Sequence, residues 1–279
     1  MTNKILVIPD IHGRTFWKAP VKKYLKRVNR VVFLGDYLDP YKNEGVEYTP
    51  DDVYQNFMEI IDLKRAYTDK VVLLKGNHDE HYCSETFREL AGGTRMDKTH
   101  WEKYNKTFNV FKDLFKIAHL EKVEDTTYLF THAGLTLYWI HKVNATLWHM
   151  SDNKLSVTDQ AIIDKINQLD FSTEGQELLS VIGRYRTMFG GEKTGSVLWA
   201  DILEHPIPSA PDIYGLNQVY QVFGHTKADS SDSGLFIFED FAMIDTQQCY
   251  MIDKKLEQPI LTLEDYENYI SLHLNRYSS

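Results

Sequence analysis

Five times along this chain a short, mostly apolar run stops at a cluster of Asp, Asn or His with glycine at or near it. The run at residues 5–8 ends in Pro9-Asp10-Ile11-His12-Gly13, and that at 31–34 in Gly35-Asp36-Tyr37-Leu38-Asp39. Residues 71–74 lead into Lys75-Gly76-Asn77-His78-Asp79, 128–130 into Thr131-His132-Ala133-Gly134, and 219–223 into Gly224-His225-Thr226. Near-continuous apolar runs of three to five residues are the signature of strands buried on both faces. Glycine lets a chain turn sharply off such a strand and bring its backbone close to a ligand. In α/β sheets ligands gather beyond the carboxyl ends of the strands, so strands lying side by side would bring the five clusters together.

The spacing predicts strands over residues 4–8, 31–34, 71–74, 127–130, 219–223, 235–239 and 241–244. Thr49-Pro50-Asp51-Asp52 is a helix start, with Thr49 as N-cap and acids in the first turn, and the helix should run to about Tyr67. Over residues 97–118, Trp101, Tyr104, Phe108, Phe111 and Phe115 recur at helical spacing and form one core-facing stripe. Strand–helix alternation in the first 130 residues argues α/β, and the closely spaced strands after Val219 add an antiparallel end, so a mixed sheet is expected. Residues 135–203 read as a helical insertion or cap within a single domain spanning 1–279, with caps at Ser156 and Thr173. Gly190-Gly191 and the prolines at 206, 208 and 211 mark loops around its end.

Composition narrows the partners. The chain is 43% apolar, enough for a core, and carries 31 Lys and Arg against 40 Asp and Glu. A net charge of −9 disfavours nucleic acid and anionic membrane as partners. The basic series Lys18, Lys22, Lys23, Lys26, Arg27 and Arg30 therefore reads as a solvated helix face. No apolar run approaches the roughly 20 residues of a membrane helix, and the N-terminus lacks a signal-type apolar region. Cys83 and Cys249 form neither a disulfide framework nor a cysteine metal site. A cytoplasmic protein is expected.

Asp10, His12, Asp36, Asn77, His132 and His225 supply three hard oxygen donors and three imidazoles without a thiolate. That mixture suits borderline divalent ions, with Mn favoured and Fe, Zn or Ni as alternatives, over calcium or a structural zinc site. Six ligands exceed what one catalytic ion with an open position takes. They suffice for two ions about 3.5–4 Å apart sharing a carboxylate, the arrangement that clamps both oxygens in phosphoryl transfer.

With these motifs in this order, DxH, GDxxD, GNHD, a lone His and GHx, the chain resembles the calcineurin-like metallophosphoesterase superfamily, nearest to its bacterial and phage Ser/Thr protein-phosphatase-like branch. The resemblance implies a four-layered α/β/β/α sandwich with mixed sheets. It places Asp10, His12 and Asp36 on one metal and Asp36, Asn77, His132 and His225 on the other, with Asp36 as the bridge. It implies His78 as general acid, oriented by Asp39, and in-line attack of metal-bound hydroxide without a phosphoenzyme.

Two departures from the family pattern stand out. After Gly224-His225 comes Thr226-Lys227, without the second histidine of GHxH, which favours the protein-phosphatase branch over nucleases and many phosphodiesterases. That branch usually carries arginine after GDxxD, and here Pro40 stands there. Arg14, Arg184 and Arg186 are candidates to grip phosphate instead. Ser196-Val197-Leu198-Trp199-Ala200-Asp201 also resembles the LLWSD-like stretch of protein phosphatases. His81 and Cys83 read as a loop histidine and a buried thiol. The expected activity is hydrolysis of a phosphomonoester, either a small phosphorylated molecule or a phosphoprotein. The alternatives are a phosphodiesterase or nucleotide hydrolase acting on dinucleoside polyphosphates or cyclic nucleotides, and a non-catalytic metal-binding scaffold. Oligomeric state is not set by the sequence.

Overall fold

Alternation along single strands decides the architecture. The computed structural model describes residues 3–42, 44, 47–90, 94–150, 159–187, 191–204, 219–227, 236–256 and 258–274. In chain order these form β1 (Lys4–Ile8), α1 (Lys18–Tyr24), β2 (Arg30–Phe33), α2 (Pro50–Ala66), β3 (Val71–Leu74), α3 (Asn77–Glu80), α4 (Glu85–Leu90), α5 (Trp101–Phe111), β4 (Phe115–Lys116), β5 (Ala118–Val123) and β6 (Thr126–Thr131). There follow α6 (Leu137–Met150), α7 (Asp159–Gln168), α8 (Thr173–Leu179), β7 (Val219–Phe223), β8 (Phe236–Ile237), β9 (Phe241–Met243), β10 (Tyr250–Asp253), β11 (Leu261–Thr262) and α9 (Leu263–Leu274).

One sheet has the order β11-β10-β1-β2-β3-β4 and the other β5-β6-β7-β9-β8. Strands β1, β2 and β3 run parallel, while β10 lies antiparallel to β1 with Leu6 opposite Met251. In the second sheet β6, β7 and β9 are parallel and β5 pairs antiparallel with β6, so both sheets are mixed. Successive residues of β1 enter different cores. Ile5 and Val7, with Val32, Leu34, Val72 and Leu74, meet Phe130, Tyr220 and Val222 of the second sheet. Leu6 and Ile8, with Val31 and Phe33, pack instead on Val21 of α1, on Phe57, Ile60 and Ile61 of α2, and on Phe108 of α5. Leu129 and Val219 on the second sheet's outer face pack on Trp139 and Ile140 of α6, Ile163 and Ile166 of α7, and Leu179 of α8. Period-two alternation thus builds four layers, helix, sheet, sheet, helix. The α/β/β/α expectation holds.

Helix α2 starts where its sequence says it should. Thr49 accepts from the Asp52 N–H at 3.2 Å while the Asp52 carboxylate accepts from the Thr49 N–H, and Pro50 occupies the first helical position. Its buried Val53, Phe57, Ile60 and Ile61 each contribute about 1.5–3 kcal/mol of apolar burial.

The chain departs from expectation at several points. The stretch 97–118 is helical only over α5, then makes a 3₁₀ turn at Lys112–Leu114, and Phe115 reaches the core from β4, opposite Leu73. Strand β5 was hidden by its charges, of which Glu121 pairs with Arg30 of β2 at 2.7 Å and with His119 of its own strand at 3.2 Å. The cap of α8 is Ser172 rather than Thr173, its side chain accepting from the Gly175 N–H. Ser156, Gly190 and the prolines at 206, 208 and 211 lie outside the described residues. The basic face finds acidic partners, Lys18 with Glu59 and Lys23 with Glu267. Among the described residues no helix is long and apolar enough to cross a membrane.

Candidate active site

The two sheets present their strand ends to one place. Asp10 and His12 follow β1, Asp36 and Asp39 follow β2, and Asn77 and His78 follow β3 as the first residues of α3. From the second sheet come His132 after β6 and His225 after β7. Asp36 Oδ2 lies 3.4 Å from His12 Nε2 and 3.6 Å from His132 Nε2. His132 Nε2 is 2.9 Å from Asn77 Oδ1 and 3.1 Å from His225 Nδ1. The ring closes where the His225 N–H donates to the Asp10 carboxylate at 3.1 Å.

Bringing side chains this close strains the backbone. Among the described residues five non-glycine residues have left-handed φ, and four are His12 (44°), Asp36 (52°), Asp39 (59°) and His225 (68°). Such strain persists where the surroundings over-determine it and collects at functional sites. Glycine provides the clearance beside them. A Cβ on Gly76 would sit 2.0 Å from Asp36 Oδ1, and one on Gly224 would sit 2.0 Å from Asp10 Oδ1. Asp79 braces the turn by accepting from the N–H groups of Asp36, Tyr37 and Gly76 at 2.8–2.9 Å.

The protonation states suit cation binding. His12 Nδ1 donates to the Leu38 carbonyl at 3.0 Å and His132 Nδ1 to the Leu34 carbonyl at 2.9 Å, so each turns an unprotonated Nε2 toward Asp36. Burial pushes His12 down to about 3 and lowers His132 and His225 as well, which keeps the rings neutral as ligands must be. Burial, together with Asp245 and Asp36, raises Asp10 well above the usual carboxylate range. Asp245, close by and pushed up to about 6 by burial, joins a set of acids with too few cations. The His225 Nε2 is buried with no hydrogen-bond partner among the described residues. The ligand atoms of Asp10, His12 and Asp36 all lie within 4.8 Å of one another. Clustered carboxylates, neutral imidazoles and an orphaned ring nitrogen are relieved together by divalent cations.

Beside this centre stands His78, whose Nδ1 donates to Asp39 Oδ2 at 2.7 Å. The other Asp39 oxygen accepts a short hydrogen bond from the Tyr82 hydroxyl, which in turn accepts from the Asp97 N–H at 2.7 Å. Tyr82, four residues beyond His78, was missed by the sequence reading. His81 is no satisfied loop histidine: it is buried 5.6 Å from the His78 ring with neither nitrogen paired among the described residues. Trp199 packs on both His81 and His225, which brings the 196–201 stretch to the site. Cys83 is only half-buried, donating to the Asp79 carbonyl.

The three sequence-predicted arginines are already engaged. Arg14 is buried and forks onto Glu44, Nε to Oε2 at 2.7 Å and Nη2 to Oε1 at 2.5 Å. Arg186 pairs with Asp201 at 2.8 Å and donates to Thr226 beside His225. Arg184 is exposed against the Tyr185 ring and is not brought to the site. A fourth arginine, unremarked in the sequence, reaches the site's rim: Arg95 stacks over Tyr41 at 3.5 Å and donates from Nε to the Asp39 carbonyl at 3.3 Å. It also lines, with Asp39, a cavity of about 720 Å³ bounded by Tyr41, Tyr48 and Tyr104.

A model of calcineurin-like phosphoesterases matches residues 3–229. The chain belongs to the calcineurin-like phosphoesterase family. This phosphoesterase is thus a phosphoric ester hydrolase acting on phosphorylated substrates. A protein serine/threonine phosphatase from Saccharomyces cerevisiae matches its fold over 93% of this chain and 78% of the other, at 16% identity and TM-score 0.50. The phosphatase domain of the Legionella effector WipB is 17% identical over 56% of this chain and 57% of that one, with TM-score 0.33. The Escherichia coli phosphoesterase YfcE is 19% identical over 47% and 57%, with TM-score 0.25. The yeast likeness supports the sandwich alone, and the other two add nothing to it. No curated protein is significantly similar in sequence.

Proposed function

We propose that this phosphoesterase is a dinuclear-metal phosphomonoesterase, acting on a small phosphorylated molecule or a phosphoprotein. The observation that carries the reading is the meeting of two sheets' strand ends around Asp36, with the His78–Asp39 pair beside them. Asp10, His12 and Asp36 would hold one ion, and Asp36, Asn77, His132 and His225 the second, with Mn the favoured metal. When bound, such a pair supplies Lewis acidity, activating water and neutralising charge on the phosphoryl oxygens.

The chain's own groups account for the rest. Burial excludes bulk water from the carboxylates and imidazoles, which strengthens every charge interaction among them. Leu38 and Leu34 carbonyls fix two ring tautomers, and the Asp79 carboxylate fixes the turn that carries Asp36. With Nδ1–H committed to Asp39, His78 has its Nε2 left to give a proton to the departing alkoxide. Helices α6, α7 and α8, between β6 and β7, fit the reading of residues 135–203 as an insertion in one domain, selecting substrate.

The test is hydrolysis of p-nitrophenyl phosphate against bis-p-nitrophenyl phosphate by metal-stripped protein reloaded with Mn, with His78→Ala as control. Monoester turnover by the wild type is expected, and an alkyl phosphate assayed beside it should lose turnover in the control, because its leaving oxygen needs the His78 proton. Preference for the diester would replace this reading with a phosphodiesterase or nucleotide hydrolase, and bound metal without turnover would mark a scaffold.

A further inference from the structure

We infer that Arg95 is the residue that grips the substrate's phosphoryl oxygens, at the point where the 720 Å³ cavity meets the catalytic site. This deepens the phosphomonoesterase reading and rests on it. The argument begins with the arginines around the centre. Arg14 is neutralised by the fork onto Glu44, and Arg186 by Asp201. Arg184 lies exposed on Tyr185. Arg95 has no carboxylate partner among the described residues. Its Nε is used on the Asp39 carbonyl, 3.3 Å away, and its face on the Tyr41 ring. Its Nη2 lies 3.5 Å from His12 Nδ1, but that nitrogen already donates to the Leu38 carbonyl and cannot also accept.

The outer N–H groups of Arg95 are therefore left without an acceptor among the described residues. A half-buried guanidinium held flat on an aromatic ring loses little freedom when an anion binds, and its parallel N–H bonds match two phosphoryl oxygens. Position fits as well. The Nε bond ties Arg95 to the backbone of Asp39, the residue that orients His78, and the His12 and His78 rings are 5.2 Å apart. Asp39, Tyr41 and Arg95 line the cavity and also touch this cluster, so an ester entering from the cavity meets the guanidinium at the threshold. Tyr41 serves as its platform, packed edge-on against His12 at 4.9 Å.

The experiment compares Mn-loaded wild type, Arg95→Ala, Arg95→Lys and the surface control Arg65→Ala. Inorganic phosphate binding is measured by calorimetry, and KM and kcat with p-nitrophenyl phosphate. Loss of a bidentate charged contact is expected to weaken phosphate binding about ten- to a hundredfold in Arg95→Ala, with KM rising in step. Arg95→Lys recovers part of the loss, and free guanidinium ion restores part of it in Arg95→Ala. Unchanged phosphate affinity in folded Arg95→Ala or Arg95→Lys overturns the assignment, as does a fall in kcat alone, which would make Arg95 a brace for Asp39. Those results leave monoesterase activity of the wild type standing. A wild type that neither binds phosphate nor cleaves the monoester sinks both readings.

Discussion

Asp39→Asn isolates the charge behind His78 while leaving its shape. The Asp39 side chain is wholly buried, accepting the His78 Nδ1–H at 2.7 Å on one oxygen and the Tyr82 hydroxyl on the other. Asparagine keeps the volume and one acceptor, so the fold should survive with a small change in melting temperature. What goes is a hydrogen bond to an ionised partner, a contact that contributes about 1.5–3 kcal/mol. If that contact is made chiefly when His78 carries the proton it delivers, the loss falls on kcat as about ten- to a hundredfold. The size should depend on the leaving group. An alkyl phosphate needs its departing oxygen protonated and should show the full loss, whereas p-nitrophenolate leaves unaided and should show little. Steady-state kcat for a series of aryl and alkyl phosphates measures this directly. An equal loss across the series would refute proton donation by His78, and no loss anywhere would refute the pairing.

Three further expectations concern other parts of the molecule. Burial pushes Glu80, whose oxygens have no partner among the described residues, from the ordinary 4.5 up to about 8. A carboxyl raised on folding favours the native state while protonated, and that contribution is lost as pH rises from about 4.5 through about 8. Glu80→Gln should therefore melt a few degrees above wild type at pH 8 and near it at pH 5; a gap equal at both pH values would count against the assignment. Lys75 and Asp170 form a buried ion pair at 2.6 Å joining the end of β3 to the turn before α8, so Asp170→Ala should cost about 3–5 kcal/mol in urea unfolding by stranding the ammonium. A loss under about 1 kcal/mol would mean that water reaches the lysine. Gly224→Ala, with its Cβ 2.0 Å from Asp10 Oδ1, should lower Mn stoichiometry measured by elemental analysis while the protein stays folded. Full metal occupancy in that variant would remove Asp10 from the proposed ligand set.

The legible part of this chain was its strand ends. Strands β1, β3 and β7 fall where the apolar runs stand, because a strand buried on both faces leaves an uninterrupted mark. Strand β5, with His119, Glu121 and Lys122, carries no such mark, and β10 and the terminal α9 were passed over. The residues after the strands lie together, and each stands out in the sequence because it belongs to its own local motif. Their supports were not, and sequence distance explains it. Tyr82 reaches Asp39 across 43 positions, Arg95 across 56, and Glu44 reaches Arg14 across 30. No local pattern marks which tyrosine or arginine a fold will bring to a given carboxylate. For the same reason Arg14 looked free in the sequence: its partner lies in another loop.

The left-handed backbone at His12, Asp36, Asp39 and His225 gives the molecule a slope along which function can be lost. Each of these side chains is held in a conformation costing about 1–2 kcal/mol that glycine would adopt without penalty. Replacement by glycine relieves that cost and deletes a ligand or an orienting group in one step. The sandwich needs none of these residues for its core, so selection for stability alone wears the site away and leaves the layers intact. A descendant of this chain freed from catalysis should melt higher than its ancestor and show glycine at the strand ends where the chemistry used to be.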